Sequence, residues 1–336
     1  MGRNRELELE IKGMELSREF YERIGKPVLE ELFPEYMEQA AVGLAGEGSE
    51  CYGFDDVLSM DHDYGPGFCV WLPCKEYEEA GEKMNQIYDA LPKEYRGVTE
   101  KITRLEAAGR RGVLEINAFY KKFLGTDRVP ETLRGWMIIP EHYLAAAVNG
   151  MVFEDRLGKF TEIREQLLNY YPEDVRLKKI AARAIVMAHS GQCNYNRMMQ
   201  RHDTVAAVLA LGEFIRAALS MVYLLNKKYA PYYKWSWRGL EGVEKLQGVR
   251  KLIEGIAEMG PDRRSWYGDN IQRFSFELNK EDRVVRMIEE ISSMVIDELR
   301  IQGISGSTSD YLEEHGYAAM HRIQDESIRN LPVLAV

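Results

Sequence analysis

The run "GLAGEGSECYGFDDVLSMDHDYGPGF", residues 43–68, crowds glycines, aspartates and glutamates into one short segment. Like charges repel, so the carboxylates are either solvated separately or neutralised by something positive. Gly48-Ser49 closes a turn after the small apolar run "AAVGLAG". Such a turn presents backbone N–H groups and a hydroxyl with no Cβ in the way, which suits a phosphate. Eleven residues then separate Ser49 from Asp61. Asp61 and Asp63 are expected at the start of the next strand, where side chains two apart share a face and His62 points the other way. Two carboxylates on one face raise each other's pKa unless a cation lies between them, and Mg²⁺ takes oxygen ligands while keeping sites for phosphate. Taken alone, the Asp-x-Asp pattern is common and reads first as an acidic loop.

Outward from this stretch, residues 6–38 carry a helical apolar rhythm broken near Gly25 and Pro27. "AAVGLAG" reads as a buried strand and "FCVWLP" (68–73) as a second, with an amphipathic helix after it. "RGVLEINAF" gives a third strand over 112–119, with Glu115 on the same face as Val113 and Asn117. From about residue 140 helical patterns dominate, at 141–149, 153–169, 173–189, 203–228, 240–259, 269–278, 281–302 and 309–329. The expected fold class is therefore α+β: a small mixed α/β domain with N-terminal helices over 1–150, then an all-α helical bundle over 151–336.

Composition excludes several classes. The 336 residues carry a formal net charge of −10, which disfavours a nonspecific nucleic-acid or lipid surface. The four cysteines are too scattered for a disulfide scaffold or a structural zinc site. The histidines lack H-x-x-x-H and H-E-x-x-H spacing, against a zinc hydrolase. The start of the chain lacks a signal-peptide core, and no membrane-length apolar run is read, so reduced thiols and a cytoplasmic location are expected.

Two segments of the helical half offer candidates. In "HSGQCNYNRMMQRHD" (189–203), a continuous helix would align Ser190, Asn194, Arg197 and Arg201 as one stripe, facing either solvent or an acceptor. In "YAPYYKWSWRGL" (229–240), Lys234 and Arg238 are four apart and would share a helical face able to hold phosphates. The aromatics beside them suit either a stacked base or the core.

The Gly-Ser turn followed by Asp-x-Asp resembles the signature of the DNA polymerase β-like nucleotidyltransferase superfamily. More narrowly, "GEGSECYGFDDVLSMDHDYGPGFCVWL" with "YAPYYKWSWRGL" is similar to the DUF4037 group of uncharacterised bacterial proteins, and that likeness covers most of the chain. The superfamily resemblance implies that Gly48 and Ser49 hold phosphates, that Asp61, Asp63 and Glu115 bind two Mg²⁺ (or Mn²⁺) ions, and that Glu115 helps activate the acceptor. It implies a nucleotidyltransferase-like first domain and a helical substrate-binding second domain. It also implies a nucleoside triphosphate donor, ATP as the first choice, and in-line attack by a small-molecule or macromolecular hydroxyl on the α-phosphorus. Lys234 and Arg238 would join the nucleotide side; Asn194, Arg197 and Arg201 would serve the acceptor side. A homodimer formed through the helical half is a further expectation. The chain departs from the superfamily pattern in having Glu50 and Cys51 where a basic residue usually follows the serine, His62 between the aspartates, and the additional acids Asp55 and Asp56. The alternative expectation is accordingly a nucleotide-binding regulatory module without transfer activity.

Overall fold

The fold is described from a computed structural model covering residues 11–61, 63–101, 110–266 and 277–336. Its contacts divide the chain into two compact units: Met1–Pro130 with Ile139–Asn169, and Glu131–Ile138 with Tyr170–Val336.

In the first unit, α1 (Gly13–Phe20), a π-helical turn (Tyr21–Gly25), α2 (Lys26–Leu32) and α3 (Pro34–Met37) precede a sheet. Its strands are β1 (Ala41–Leu44), β2 (Cys69–Leu72), β5 (Gly112–Glu115) and β6 (Met151–Asp155), in the order β5-β2-β1-β6. β1 runs antiparallel to both β2 and β6, and β2 runs parallel to β5. A small ribbon, β3 (Glu94–Tyr95) with β4 (Val98–Thr99), lies between β2 and β5 in the chain.

Alternation along the strands builds two apolar layers. Val42, Val70, Leu72 and Val113 join Phe20, Leu29 and Phe68 on one face. The helix α4 (Cys74–Asp89) completes this layer, because Ala80, Met84 and Tyr88 recur every four residues along one side of it. On the opposite face the Trp71 ring stacks on Phe160, centroids 4.0 Å apart, and meets Phe119 edge-on. Phe119 belongs to α5 (Ile116–Leu124) and Phe160 to α8 (Lys159–Leu168). Gly43 is required where β1 approaches β6: a Cβ there would stand 2.3 Å from the Met151 carbonyl oxygen.

Two expectations are corrected here. Residues 153–169 are not one helix, since β6 pairs with β1 before α8 begins. The boundary near 150 therefore falls inside the first unit, whose sheet needs 151–155 as an edge, and the contacts carry that unit on to Asn169. Chain order within it is completed by α7 (Glu141–Val148).

The second unit is helical in its described residues. It contains α6 (Leu133–Ile138), α9 (Glu173–Met187), a π-helical stretch (Ala188–Tyr195) and α10 (Asn196–Gln200). There follow α11 (Thr204–Leu225), α12 (Tyr233–Ser236), α13 (Gln247–Met259), α14 (Arg283–Ile301), α15 (Leu312–Arg322) and α16 (Glu326–Arg329). Most of the expected 269–278 helix lies outside the described residues. α9 is the hub, buried along most of its length. Even Lys178 is fully enclosed there, and it donates to the Leu331 and Pro332 carbonyls. Asp282 caps α14 through Val284 N–H and also accepts from the Tyr195 hydroxyl and the Trp266 indole. Contrary to the expectation that no membrane-length apolar stretch occurs, α11 is long and apolar enough to cross a membrane by length and composition. Ala217–Leu225 of that helix is buried within the unit, as a core helix would be.

Candidate functional site

The end of β1 organises the site. Beyond Leu44 the chain turns through 45–48, and Asn149 clamps that turn: its amide donates to the Gly46 carbonyl at 2.6 Å and its oxygen accepts Gly46 N–H at 2.8 Å. Ser49–Tyr52 forms one 3₁₀ turn. The Glu50 side chain folds back so closely that a Cβ on Gly48 would lie 2.4 Å from Glu50 Oε1. A side chain at position 48 would thus press on the Glu50 carboxylate that pairs with Arg111.

Glu50 is buried and accepts from Arg111 Nη2 at 3.1 Å, while Arg111 Nη1 donates to the Gly65 carbonyl at 2.8 Å. Burial alone would lower the Arg111 pKa, but the Glu50 charge more than offsets it and leaves the guanidinium firmly charged. The sequence lacks a basic residue soon after Ser49. The parallel pairing of β2 with β5 brings two, Arg110 and Arg111, beside the same turn. Neither was among the residues singled out from the sequence. The signal that could have found them is an Arg pair immediately preceding a strand that had already been recognised.

The aspartates are not arranged as expected. Asp61 ends an exposed 3₁₀ turn, Val57–Asp61, and Asp63 sits in the left-handed region at φ 51°. β2 begins only at Cys69, after Gly65-Pro66-Gly67, so the alternation rule has no strand to act on. The Asp63 side chain is 6% exposed, and its Oδ2 lies 3.6 Å from Arg110 Nη1. His62 lies outside the described residues. Asp55 acquires a structural role: it is fully buried, accepts Gly13 N–H at 2.7 Å and lies 3.9 Å from the Lys12 ammonium, anchoring the start of α1.

The third strand ends at Glu115 instead of running to 119. Glu115 is the N-cap of α5, with Oε1 accepting Asn117 N–H at 3.1 Å and Oε2 accepting Ala118 N–H at 2.7 Å. Both oxygens are committed to the helix start. Among the described residues no cluster of three His, Cys, Asp or Glu side chains could hold a metal ion. In this conformation Asp61, Asp63 and Glu115 do not form such a cluster.

What the fold does assemble is a pair of adjoining clefts. One, about 250 Å³, is lined by Gly48, Asp63, Lys93, Glu100, Arg110 and Arg111 among others. The other, about 410 Å³, is walled by Tyr77, Phe119 and Phe123 with Glu78, Glu115 and Lys122. Ala45, Glu47 and Arg110 line both. The charges are matched in pairs: Glu50 with Arg111, Glu100 with Lys93 at 3.2 Å, and Glu47 with Lys122 at 2.7 Å. Burial pushes the Cys51 thiol well up and the Cys69 thiol to about 12, so neither is a thiolate nucleophile near neutral pH.

The remaining candidates belong to the second unit. α12 ends at Ser236 and a 3₁₀ turn, Arg238–Gly242, follows, so Lys234 and Arg238 do not share one helical face. The Lys234 ammonium lies 5.1 Å over the Trp235 ring. Trp237 is covered by Arg250, whose guanidinium carbon lies 4.1 Å from the ring centroid, whereas Tyr233 is 72% exposed. Asn194, Arg197 and Arg201 are exposed, but Ser190 is buried and donates to Val186 O at 2.6 Å. The π-helical stretch has a wider turn than an α-helix, so the α-helical spacing that would have aligned these four does not apply.

A family model described as Domain of unknown function (DUF4037) matches residues 136–236, which supports that family resemblance for this part of the chain. The match takes in 229–236 of the aromatic segment. It leaves Gly48, Ser49, Asp61, Asp63 and Glu115 outside, so the likeness to this family is shown over a shorter span than the sequence motifs suggested. No curated protein and no solved structure matches the chain.

Proposed function

We propose that the first unit binds a nucleoside triphosphate, with the phosphates at the Gly48-Ser49 turn. The observation that carries this reading is the turn itself. It follows β1, is rigidly buttressed by Glu50 and Arg111, and opens on a cleft that also holds Asp63 and Arg110. Among the described residues Arg110 and Lys93 are cations of that cleft able to turn toward a phosphate; Arg111 is tied to Glu50 and Gly65. The larger cleft has aromatic walls suited to a base or another planar group. In the form described Glu115 caps α5 and Asp63 faces Arg110, an arrangement that favours a nucleotide-binding module over a transfer centre primed for reaction.

A second reading, a nucleotidyltransferase acting on a hydroxyl acceptor, is favoured by strand order. β1 with its Gly-Ser turn lies antiparallel to β2, and β2 lies parallel to β5, which ends in Glu115. That is the relative order of turn and acid which the superfamily resemblance implies. Here Glu115 would position the start of α5 and the cleft wall.

Equilibrium dialysis with each labelled nucleoside triphosphate, run with and without Mg²⁺, tests the first reading. Saturable binding that weakens at least tenfold in Arg110→Ala supports it; no saturable binding of any of the four removes it. Pyrophosphate release with a mixed acceptor pool, lost in Asp63→Asn, would select the transferase.

A further inference from the structure

We propose that the larger cleft of the first unit selects guanine, with Glu78 reading the edge of the base and the Tyr77 ring supporting its face. These roles rest on the nucleotide-binding reading, since the base belongs to the triphosphate placed at Gly48-Ser49.

Among the described residues, the carboxylates Glu47, Glu78 and Glu115 line this cleft. Two of them are engaged. Glu47 pairs with Lys122 at 2.7 Å, and Glu115 accepts two backbone N–H groups of α5. Glu78 differs: among the described residues it meets no cation at ion-pair distance, and its contact is the weak thiol donor of Cys74, with Sγ 3.6 Å from Oε1. An exposed helical glutamate is ordinarily just solvated, but this one stands at a cleft beside an aromatic ring that is also unoccupied. The Tyr77 ring lies down over Gly81, where a Cβ would stand 2.7 Å from Tyr77 Cδ2 and 3.1 Å from Cγ. Gly81 thereby lets one side of the ring rest on α4, while Tyr77 stays 37% exposed and is stacked on no other ring among the described residues. Phe119 and Phe123, by contrast, are buried against each other and their neighbours. Tyr77 is therefore the aromatic wall with surface to offer. Neighbours on a helix do not face each other, so the ring and the carboxylate approach a ligand from different directions.

The chemistry of the two groups decides between bases. An ionised carboxylate only accepts hydrogen bonds. Guanine presents N1–H and the N2 amino group side by side, so the two oxygens take both as parallel charge-assisted hydrogen bonds. Adenine and cytosine set a ring acceptor beside their amino group, and uracil flanks its N–H with carbonyls. Each of these turns a lone pair toward the negative charge. Stacking on Tyr77 serves any base, because every base has a π-face, so it adds affinity without choice. The choice falls to Glu78. A group that must be hydrogen-bonded rejects the analogue lacking the matching donor, which is the form the discrimination takes here.

The test is competition dialysis on the full chain with GTP, ATP, inosine triphosphate (which lacks the N2 amino group) and the nucleoside guanosine. Wild type is expected to bind GTP at least tenfold tighter than ATP, with inosine triphosphate between them. Glu78→Gln should weaken GTP at least tenfold without weakening ATP. Glu78→Ala carries the same expectation and serves if the glutamine variant does not fold, folding being checked by circular dichroism. Tyr77→Ala should weaken GTP and ATP alike, and Tyr77→Phe should bind both as wild type does. A preference for ATP would overturn the proposal, as would a guanine preference that survives in both Glu78 variants. Equal binding of the triphosphates would reject the base assignment and keep the nucleotide-binding reading. Guanosine bound through Glu78 as tightly as GTP would keep the base site and reject the phosphate cradle. No saturable binding of any of these ligands would overturn both.

Discussion

Arg111 Nη2 donates to Glu50 Oε1 across 3.1 Å, and both side chains are largely withdrawn from water. Removing one member of such a buried pair strands the other charge, which costs about 3–5 kcal/mol. Glu50→Ala and Arg111→Met should each show a loss of that order in urea unfolding. A loss below about 1 kcal/mol in both would mean that the pair is not what braces the Gly-Ser turn.

The Gly43→Ala variant tests the β1–β6 contact. The added methyl would meet the Met151 carbonyl, a backbone atom with little room to yield. The expected cost is about 1–3 kcal/mol, as for other overpacked sites. Amide hydrogen exchange should show the loss of protection concentrated in 151–155.

Glu115 separates a cap from a reacting group. Glu115→Ala should destabilise the first unit by about 1 kcal/mol through α5, in the range of other lost N-caps. Glu115→Asp, which keeps a capping carboxylate, should recover most of it. Triphosphate affinity measured by dialysis should be unchanged in both; a tenfold loss in either would place the carboxylate in ligand binding.

Glu154 gives a pH dependence. Burial by itself would raise its carboxyl pKa, but hydrogen bonds from Lys26 and from the Tyr21 hydroxyl at 2.7 Å outweigh that and hold it below 4.5. A carboxylate depressed in the folded state stabilises fully above its unfolded value and loses that contribution as pH falls through the folded value. Stability should therefore fall below about pH 4.5. Glu154→Gln should be less stable at pH 7 and show a shallower decline on acidification, read from thermal midpoints between pH 7 and 3.

Thiol chemistry provides a check on the packing. Cys51 and Cys69 are buried, and burial raises both thiols; Cys74 is exposed at the start of α4. A water-soluble maleimide at pH 7.5 should modify Cys74 first, at a rate slowed by the Glu78 charge that raises its thiol, and leave Cys51 and Cys69 unreacted until the protein unfolds. Rapid labelling of Cys69 in Cys74→Ser would contradict the buried β2.

Much of the architecture was legible because apolar spacing reports burial directly. The runs 41–44 and 69–72 are strands, and the four-residue recurrence of Ala80, Met84 and Tyr88 marks a helix lying on them. The α+β class, the helical second part, and the turn at Gly48-Ser49 came from the same patterns. What spacing could not supply was the local conformation of residues 61 and 63. The alternation rule presumes a hydrogen-bonded strand, and the strand begins six residues later. The role of Glu115 depended likewise on where β5 stopped and α5 began.

The sequence by itself determined which segments bury their side chains and where the chain must turn, because hydrophobic periodicity and glycine geometry act locally. Only the tertiary structure decided which charges meet. Glu50 with Arg111, and Asp63 and Glu47 with Arg110, are brought together by the parallel pairing of β2 with β5 across more than forty residues of chain. Coulomb interactions depend on distance in space and carry no periodicity along the sequence, so nothing in the order of residues could announce them.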